Sequence, residues 1–346
     1  MKIKTLLSCT AILLATLLLL GGAQALLVPK HMETTREGAL IAEYYDEKQP
    51  AHDVLFLGDC EVYESFTPPT LWEEYGITSY VRGSAQQLPW QSYYLLEDTL
   101  RYETPRAVVF NVYALRYGTP QNEAYNRMTL DGMRWSGVKA RAIRASMTEE
   151  ESFLSYLFPL LRYHGRWDEL SGEDLRYFFS RDTVSHNGYL MQTGVLAMGE
   201  DAIEPTPLAD PTLPSVAMEY LDAMRELCTE RGIELILVKA PTNNWRYHWY
   251  DEWEAQVVAY AEQYALAYYN FIPVGEEIGL DWSTDTYDRG AHLNVYGAEK
   301  LTSYFGAILA EQHAIPDHRG DATLSALWEG KLALYRSARD AGTLAQ

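Results

Sequence analysis

Short apolar runs that alternate with stretches of helical periodicity constrain the fold of this chain more than any other feature. The apolar runs lie at 54–57, 77–81, 106–112, 233–238 and 267–271, and the helical stretches lie at 69–75, 90–102, 215–230, 252–264 and 296–313. Apolar runs this short are typical of parallel strands that helices cover on both sides. The sequence therefore predicts an α/β fold, a three-layer α/β/α arrangement with a mainly parallel sheet.

The predicted sheet domain covers residues 51–316 and is interrupted by a long insertion. Residues 118–214 are rich in Arg, Tyr, Trp and Met, contain helical stretches such as 150–163, and lack a clear buried strand. We therefore expect a helical insertion that packs over the carboxyl edge of the sheet and forms part of the wall of a cleft. Residues 317–346 are interpreted as a polar C-terminal tail with one peripheral helix.

The N-terminal 27 residues have the layout of an export segment. Two lysines precede an apolar run at 5–20, and small residues follow it at 21–25. This order is typical of a secretory signal peptide that is cleaved after Ala25. Extended through Leu27, the same run is long enough to remain as a membrane anchor. Both alternatives make the body of the protein extracytoplasmic, either membrane-anchored or secreted.

Charge and motif content exclude several classes of function. The formal net charge is −20 at pH 7, whereas nucleic-acid binding requires clustered Lys and Arg to neutralise phosphates. We therefore expect no nucleic-acid partner. The sequence also contains no recognised metal-ligand spacing and no phosphate-binding loop, so neither a metal nor another cofactor is expected.

The two cysteines outside the N-terminal segment have three possible roles. In an exported chain Cys60 and Cys228 could form a disulfide, remain as buried inert thiols, or include a nucleophile. Cys228 falls near the end of the helix that precedes the 233–238 strand, whereas Cys60 follows the carboxyl end of the 54–57 strand. These positions differ by a strand length, on the order of 15 Å, and a disulfide needs Cα atoms within about 7 Å. We expect two free thiols.

Polar residues and glycines follow several of the predicted strands. Asp59 and Cys60 come after the first strand, Gly83 after the second and Asn111 at the end of the third. In open α/β sheets, reactive groups gather at the carboxyl ends of the strands. These four residues are therefore candidates for one site.

A histidine motif late in the chain supplies the other parts of a catalytic set. His292 has Asp288 four residues before it and Asp285 seven residues before it. A nucleophile needs a base that takes its proton, and the base needs an acceptor that fixes its orientation. We predict Cys60 as the nucleophile and His292 as the base, with Asp288 preferred over Asp285 as the acceptor. A purely structural His292 remains the alternative.

These two motifs resemble those of the SGNH (GDSL-type) hydrolase superfamily. The resemblance is carried by Gly-Asp-Cys at 58–60, where the family has Gly-Asp-Ser, and by His-Leu-Asn at 292–294, and it leaves the middle third of the domain unmatched. It implies an SGNH-like, flavodoxin-like fold, with Gly83 and Asn111 lining an oxyanion hole. The family's aspartate usually stands three residues before the histidine, where this chain has Arg289.

The cysteine at the nucleophile position leaves two functions open. A thiol beside a histidine and at a helix start is expected to have a depressed pKa and to react as a thiolate, which favours acyl transfer through a thioester. The same exchange is also compatible with a degenerate site that retains only binding.

The substrate prediction depends on side chains around the predicted site. Gln87 follows the Gly83 loop and Trp245 follows the turn at 239–244, and amides beside aromatic faces suit sugar rings, although Trp245 could equally pack in the core. The resulting hypothesis is an acyl esterase or O-acyltransferase that acts on a cell-envelope glycan or acylated carbohydrate. The family resemblance adds a membrane-bound O-acyltransferase as a partner. The alternative is a non-catalytic glycan-binding or envelope-assembly protein.

Overall fold

A five-stranded parallel sheet forms the centre of the protein. The computed structural model describes residues 2–28, 38–47, 51–179, 183–197, 208–243 and 250–344. The strands are β1 Val54–Gly58, β2 Ser79–Gly83, β3 Ala107–Asn111, β4 Glu234–Lys239 and β5 Ala267–Asn270. Their order is β2-β1-β3-β4-β5, and all four pairings are parallel. The predicted strands and the predicted parallel sheet are confirmed.

The helices of the described residues differ widely in length. They are α1 Lys2–Leu27, α2 Ala39–Ala42, α3 Cys60–Tyr63, α4 Pro68–Tyr75, α5 Pro89–Thr99, α6 Glu123–Leu130, α7 Gly137–Ser146, α8 Phe153–Leu157, α9 Leu160–Tyr163, α10 Gly172–Phe179, α11 Ser215–Arg231, α12 Asp251–Tyr264, α13 Gly275–Ile278, α14 Val295–Glu311 and α15 Ala322–Leu344. Short 3-10 helices lie at Glu43–Asp46, Val112–Arg116 and His164–Asp168.

Alternate residues of each strand face two separate hydrophobic cores. On one face, Leu55 and Leu57 of β1 pack with buried side chains of α5, α7, α11 and α12. On the other face, Val54 and Phe56 pack with α4, α14 and α15. Because both faces of the sheet are apolar and covered, the predicted three-layer α/β/α class is confirmed.

The C-terminal helix belongs to the second core. Trp328 and Tyr335 of α15 are each about 1% exposed, and the ring of Trp328 stacks on that of Trp72 with centroids 5.5 Å apart. The predicted tail helix therefore packs one face into this core, while most of its other residues are exposed. Its buried residues at 328, 332 and 335 follow helical spacing, but charged neighbours surround them in the sequence.

The insertion is helical, as predicted, and it contacts the sheet domain in two ways. Helix α7 packs on α5, and the Thr129 hydroxyl of α6 hydrogen-bonds that of Ser84 just beyond β2. A later segment runs along the open edge of β2, where the Val81 amide donates to the Asn187 carbonyl over 2.9 Å. The same segment reaches the histidine loop, since the Arg289 amide donates to the Leu196 carbonyl over 2.8 Å.

Helix α1 projects from the folded body. Residues 3–27 are long and apolar enough to span a membrane, and none of the most apolar stretch is buried. The helix contacts the body of the protein at α9, α10 and the neighbouring 3-10 helix. A helix separate from the sheet core was predicted, and the sheet does not contact it within the described part of the chain.

Candidate active site

The turn after β1 places Cys60 at the start of a helix. Asp59 caps α3, and its Oδ1 accepts a hydrogen bond from the Glu61 amide over 3.3 Å. Gly58 has a φ of 149° and lies so close to its neighbours that a Cβ there would come within 2.6 Å of Val62 Cγ2. A side chain at position 58 would therefore displace the helix that carries the thiol.

The histidine loop brings its imidazole against the thiol. The distance from His292 Nε2 to Cys60 Sγ is 3.1 Å, and the distance from His292 Nδ1 to Asp288 Oδ2 is 2.6 Å. The backbone amide of His292 also donates to Asp288 Oδ1 over 2.8 Å. A carboxylate on Nδ1 fixes the tautomer that leaves Nε2 free to accept a proton from sulfur. The geometry is that of a nucleophile, a base and an orienting acceptor.

Positive φ angles in the loop let Asp288 reach the histidine from four residues away. Arg289 has a φ of 66° and Gly290 has a φ of 87°. Asp285, the second candidate, is turned elsewhere: its Oδ2 accepts from Lys300 Nζ over 2.6 Å and from the Asp281 amide over 2.8 Å. Asp288 and not Asp285 therefore orients the imidazole in this structure.

The protonation of the thiol and the imidazole depends on their mutual contact. Burial raises the pKa of the Cys60 thiol, and the charge of His292 offsets this only in part. Burial lowers the pKa of His292, but Cys60 and Asp288 outweigh it and hold that pKa well above its ordinary value. The depressed thiol pKa expected from the sequence is therefore wrong in direction. The Cys60 charge that raises the pKa of His292 is that of the thiolate, so the two shifts belong to one coupled pair. The pair is either a thiol beside a neutral imidazole or a thiolate beside an imidazolium, and the sulfur would attack as the second form.

Glu64 and Tyr287 lie at the site but are absent from the sequence-based prediction. Glu64 Oε2 is 3.7 Å from His292 Nδ1, is buried, and has no hydrogen-bond partner among the described residues. Its Oε1 accepts a hydrogen bond from the Tyr287 hydroxyl over 2.9 Å, and the Tyr287 ring stacks on the imidazole. Glu64 comes four residues after Cys60, the spacing that places two side chains on one face of a helical turn.

Asn111 holds a network of charges beneath the site. Its Nδ2 donates to Glu61 Oε2 over 2.9 Å and to Asp59 Oδ1 over 3.3 Å, and its Oδ1 accepts from the Ala240 amide over 3.3 Å. Lys239 Nζ completes the network with a buried ion pair to Glu61 Oε1 over 2.8 Å. Because two carboxylates use both amide hydrogens, this arrangement does not support the predicted oxyanion role of Asn111.

Arg116 is a further cation near the thiol that the sequence analysis did not identify. Its Nη1 donates to Asp59 Oδ2 over 3.1 Å, and its guanidinium lies over the rings of Tyr113 and Tyr117, 3.3 Å and 4.2 Å from the centroids. Arg116 ends the 3-10 helix that follows β3, so the same strand end supplies both Asn111 and Arg116. Burial raises the pKa of Asp59, and Arg116 offsets only part of that rise.

Three further residues were predicted to line the oxyanion hole or to bind substrate: Gly83, Gln87 and Trp245. Gly83 pairs with Gly58 across β2 and β1, and a Cβ at Gly83 would lie 3.1 Å from the Gly58 carbonyl oxygen. Gln87 is buried, and its Nε2 donates within the loop to the Arg82 carbonyl over 3.2 Å and to Ser92 Oγ over 2.9 Å. Trp245 lies outside the residues that the structure describes.

Both thiols of the body are free. Cys60 is partly exposed, and Cys228 is buried and lies in α11. Burial raises the pKa of Cys228 to about 12. The predicted pair of free thiols is confirmed, with Cys228 in an environment that keeps it protonated.

Comparison with known proteins gives structural similarity only. No family model and no curated protein matches the chain. Among solved structures, it is similar to a GDSL-like lipase from Bacteroides thetaiotaomicron VPI-5482, with 14% identity over 81% of this chain and 98% of that chain and a TM-score of 0.36. It is also similar to a presumed acylhydrolase from Bacteroides fragilis NCTC 9343, with 13% identity over 79% and 93% and a TM-score of 0.36. The fold assignment rests on the strand order and layers described above.

Proposed function

We propose that this protein is an extracytoplasmic, SGNH-like acyl esterase or O-acyltransferase that acts on a cell-envelope glycan with Cys60 as its nucleophile. The observation that carries the proposal is the unbroken line of contacts from Cys60 Sγ through His292 to Asp288, at 3.1 Å and 2.6 Å. Residues 232 positions apart meet at distances suited to proton transfer.

The geometry supports a two-step acyl transfer. In the first step the thiol proton passes to His292 Nε2 while sulfur attacks the ester carbonyl, and the imidazolium forms beside Asp288. The leaving alkoxide takes that proton, and an acyl thioester on Cys60 remains. In the second step His292 removes a proton from water or from an acceptor hydroxyl, whose oxygen attacks the thioester and releases the thiol. Water gives an esterase and a sugar hydroxyl gives an O-acyltransferase.

The substrate class is supported by export and by ester chemistry. The N-terminal apolar helix is compatible with a signal peptide or an anchor, and an exported acyl-transfer enzyme meets the esters of envelope carbohydrates. A membrane-bound O-acyltransferase that supplies the acyl group is part of the same proposal. The net charge of −20 favours a neutral or hydroxyl-rich substrate over a polyanion.

Trapping the thioester tests the proposal. The full-length protein is incubated with p-nitrophenyl acetate or an O-acetylated glycan fragment, quenched in acid, and digested for mass spectrometry. We expect an acetyl group on the peptide that contains Cys60, absent in Cys60→Ala and retained in the matched control Cys228→Ala. Unchanged turnover by Cys60→Ala would remove this residue from the mechanism.

A second candidate function is glycan binding without catalysis. It is favoured by the raised pKa of the Cys60 thiol and by the use of both Asn111 amide hydrogens within the protein. In that case no thioester forms, iodoacetamide alkylates Cys60 slowly at neutral pH, and Cys60→Ala binds glycan fragments as tightly as the wild type.

A further inference from the structure

One part of the insertion exposes an unusual amount of apolar surface. Outside α1, fourteen large apolar or aromatic side chains of the described residues are exposed, and seven of these lie between 153 and 179. We define the 153–179 surface by six of them: Leu154, Leu157, Phe158, Leu161, Trp167 and Leu175. Trp167 is 71% exposed and Leu161 is 58% exposed. A concentration of exposed large apolar side chains in one short segment is unusual for a protein surface and points to an interaction site.

The opposite side of the same helices is firmly attached to the insertion. Tyr156 and Tyr163 are buried, and the Arg127 guanidinium of α6 lies over the Tyr156 ring, 4.1 Å from its centroid. The apolar side chains therefore point outward from a docked scaffold. Their exposure is therefore not caused by a loss of packing between these helices and the rest of the insertion.

The 153–179 surface is continuous with the end of the apolar N-terminal helix. Helix α1 contacts α9 and α10, and Arg166 Nη1 donates to the Leu27 carbonyl over 2.7 Å, at the helix end where carbonyls lack intrahelical partners. The other end of the Arg166 guanidinium pairs with Asp174 over 3.3 Å. One side chain thus joins the end of α1 to the base of α10.

The length of α1 indicates where the outer surface of a membrane would lie relative to the protein. The candidate span Ile3–Leu27 has 25 residues, which at about 1.5 Å per residue exceeds the roughly 30 Å of a bilayer hydrocarbon core. The lysines at its start would stay on the cytoplasmic side. Its other end at Leu27 then emerges at the outer boundary of the hydrocarbon, and groups that touch this end share that depth.

The composition of the 153–179 surface suits the boundary between lipid and water. Trp, Phe and Leu occupy its outer side, and aromatic residues are enriched where acyl chains meet headgroups. Two of its arginines are paired with carboxylates: Arg162 with Glu123 and Arg166 with Asp174. Paired charges cost less to bring near lipid than isolated ones.

We propose that α1 is retained as a membrane anchor and that the 153–179 surface lies in the outer lipid interface beside it. The catalytic domain is then held against the bilayer by two attachments, a spanning helix and an interfacial helical surface. A single spanning helix would leave the domain free to swing. The second attachment fixes its orientation.

Environment-sensitive labelling of the full-length protein in vesicles tests this arrangement. Leu161→Cys and, separately, Trp167→Cys are made in a Cys9→Ala, Cys60→Ala background and labelled with an NBD fluorophore; the buried Cys228 is unreactive. The matched control is Leu334→Cys on α15, a position that is 70% exposed. Each protein is reconstituted in phosphatidylethanolamine and phosphatidylglycerol vesicles, with and without nitroxide-labelled lipids.

We expect blue-shifted emission and strong quenching by nitroxide lipids at positions 161 and 167, and water-like, unquenched emission at position 334. Emission at 161 and 167 that matches position 334 overturns the proposal. Emission that is blue-shifted but not quenched by nitroxide lipids also overturns it, because a protein partner or a second copy would then cover the surface. The intact mass of the membrane-extracted protein is the second readout, and loss of residues 1–25 contradicts the retained anchor.

Discussion

The buried carboxyl group of Glu64 should make the protein lose stability as the pH rises through neutrality. Burial raises the pKa of Glu64 from 4.5 to about 7, and His292 and the Tyr287 hydroxyl offset part of that rise. A raised carboxyl pKa means that the folded state holds the proton more tightly than the unfolded chain. The stabilisation is complete below the unfolded pKa and disappears as the pH passes the folded pKa.

The magnitude follows from the two pKa values. At about 1.4 kcal/mol per pH unit, the full interval corresponds to about 3 kcal/mol of unfolding free energy, of which about 2.5 kcal/mol falls between about pH 5 and about pH 8. The glutamine of Glu64→Gln cannot ionise. Between about pH 5 and about pH 8, the unfolding free energy of this variant should therefore fall by about 2.5 kcal/mol less than that of the wild type. Other titrating groups that the substitution does not affect change the unfolding free energy of both proteins equally. Their contribution cancels when the change between the two pH values is compared between Glu64→Gln and the wild type.

Urea unfolding in mild detergent, followed by near-ultraviolet circular dichroism, measures the effect. Tyr287→Phe is the second variant: it removes the hydroxyl that lowers the pKa of Glu64, so its stability should fall at a higher pH than that of the wild type. If Glu64→Gln and the wild type lose the same unfolding free energy between the two pH values, the carboxyl is already ionised near pH 5 and the reasoning is refuted.

Two further predictions concern the triad and its support. Asp288→Asn should lower the rate of acyl transfer on the order of 10²- to 10⁴-fold, because asparagine no longer holds the correct His292 tautomer. The control Asp285→Asn should leave the rate close to that of the wild type. Equal losses of rate in steady-state assays of the two variants would contradict the assignment of Asp288. Lys239→Met should destabilise the protein by about 3–5 kcal/mol because it leaves Glu61 charged and buried, and the added Glu61→Gln should restore much of that in urea unfolding. A double variant no more stable than Lys239→Met would contradict the buried pair.

The sheet was predictable because its signal is local. Burial on both faces makes β1, β3 and most of β4 apolar runs, so they could be identified without knowledge of their neighbours. The face of α15 that packs into the core could not be predicted, for the opposite reason. Trp328 and Tyr335 are core residues only because Trp72 and the rest of the second core receive them, and sequence does not show which distant surface a helix meets.

The contacts among Cys60, His292 and Asp288 could be predicted from the sequence, because the three residues stand in two short motifs. The surroundings of these residues could not. The hydrogen-bond partners of Asn111 depend on Glu61, which is 50 residues away in the sequence. Glu61 is in turn paired with Lys239, which lies 178 residues after it. The thiol pKa likewise follows from how deeply the folded chain buries Cys60, a property of the assembled structure.

The distance along the chain between the thiol and its base also governs when the chemistry becomes possible. His292 is made 232 residues after Cys60, and at synthesis rates of about 5–20 residues per second this is a delay of roughly 10–50 s. During that time the nascent chain carries an ordinary cysteine without a proton acceptor. Only when the last strand and α14 join the sheet does the imidazole arrive. Under the proposed mechanism, completion of folding therefore supplies the base that the thiol lacks until then.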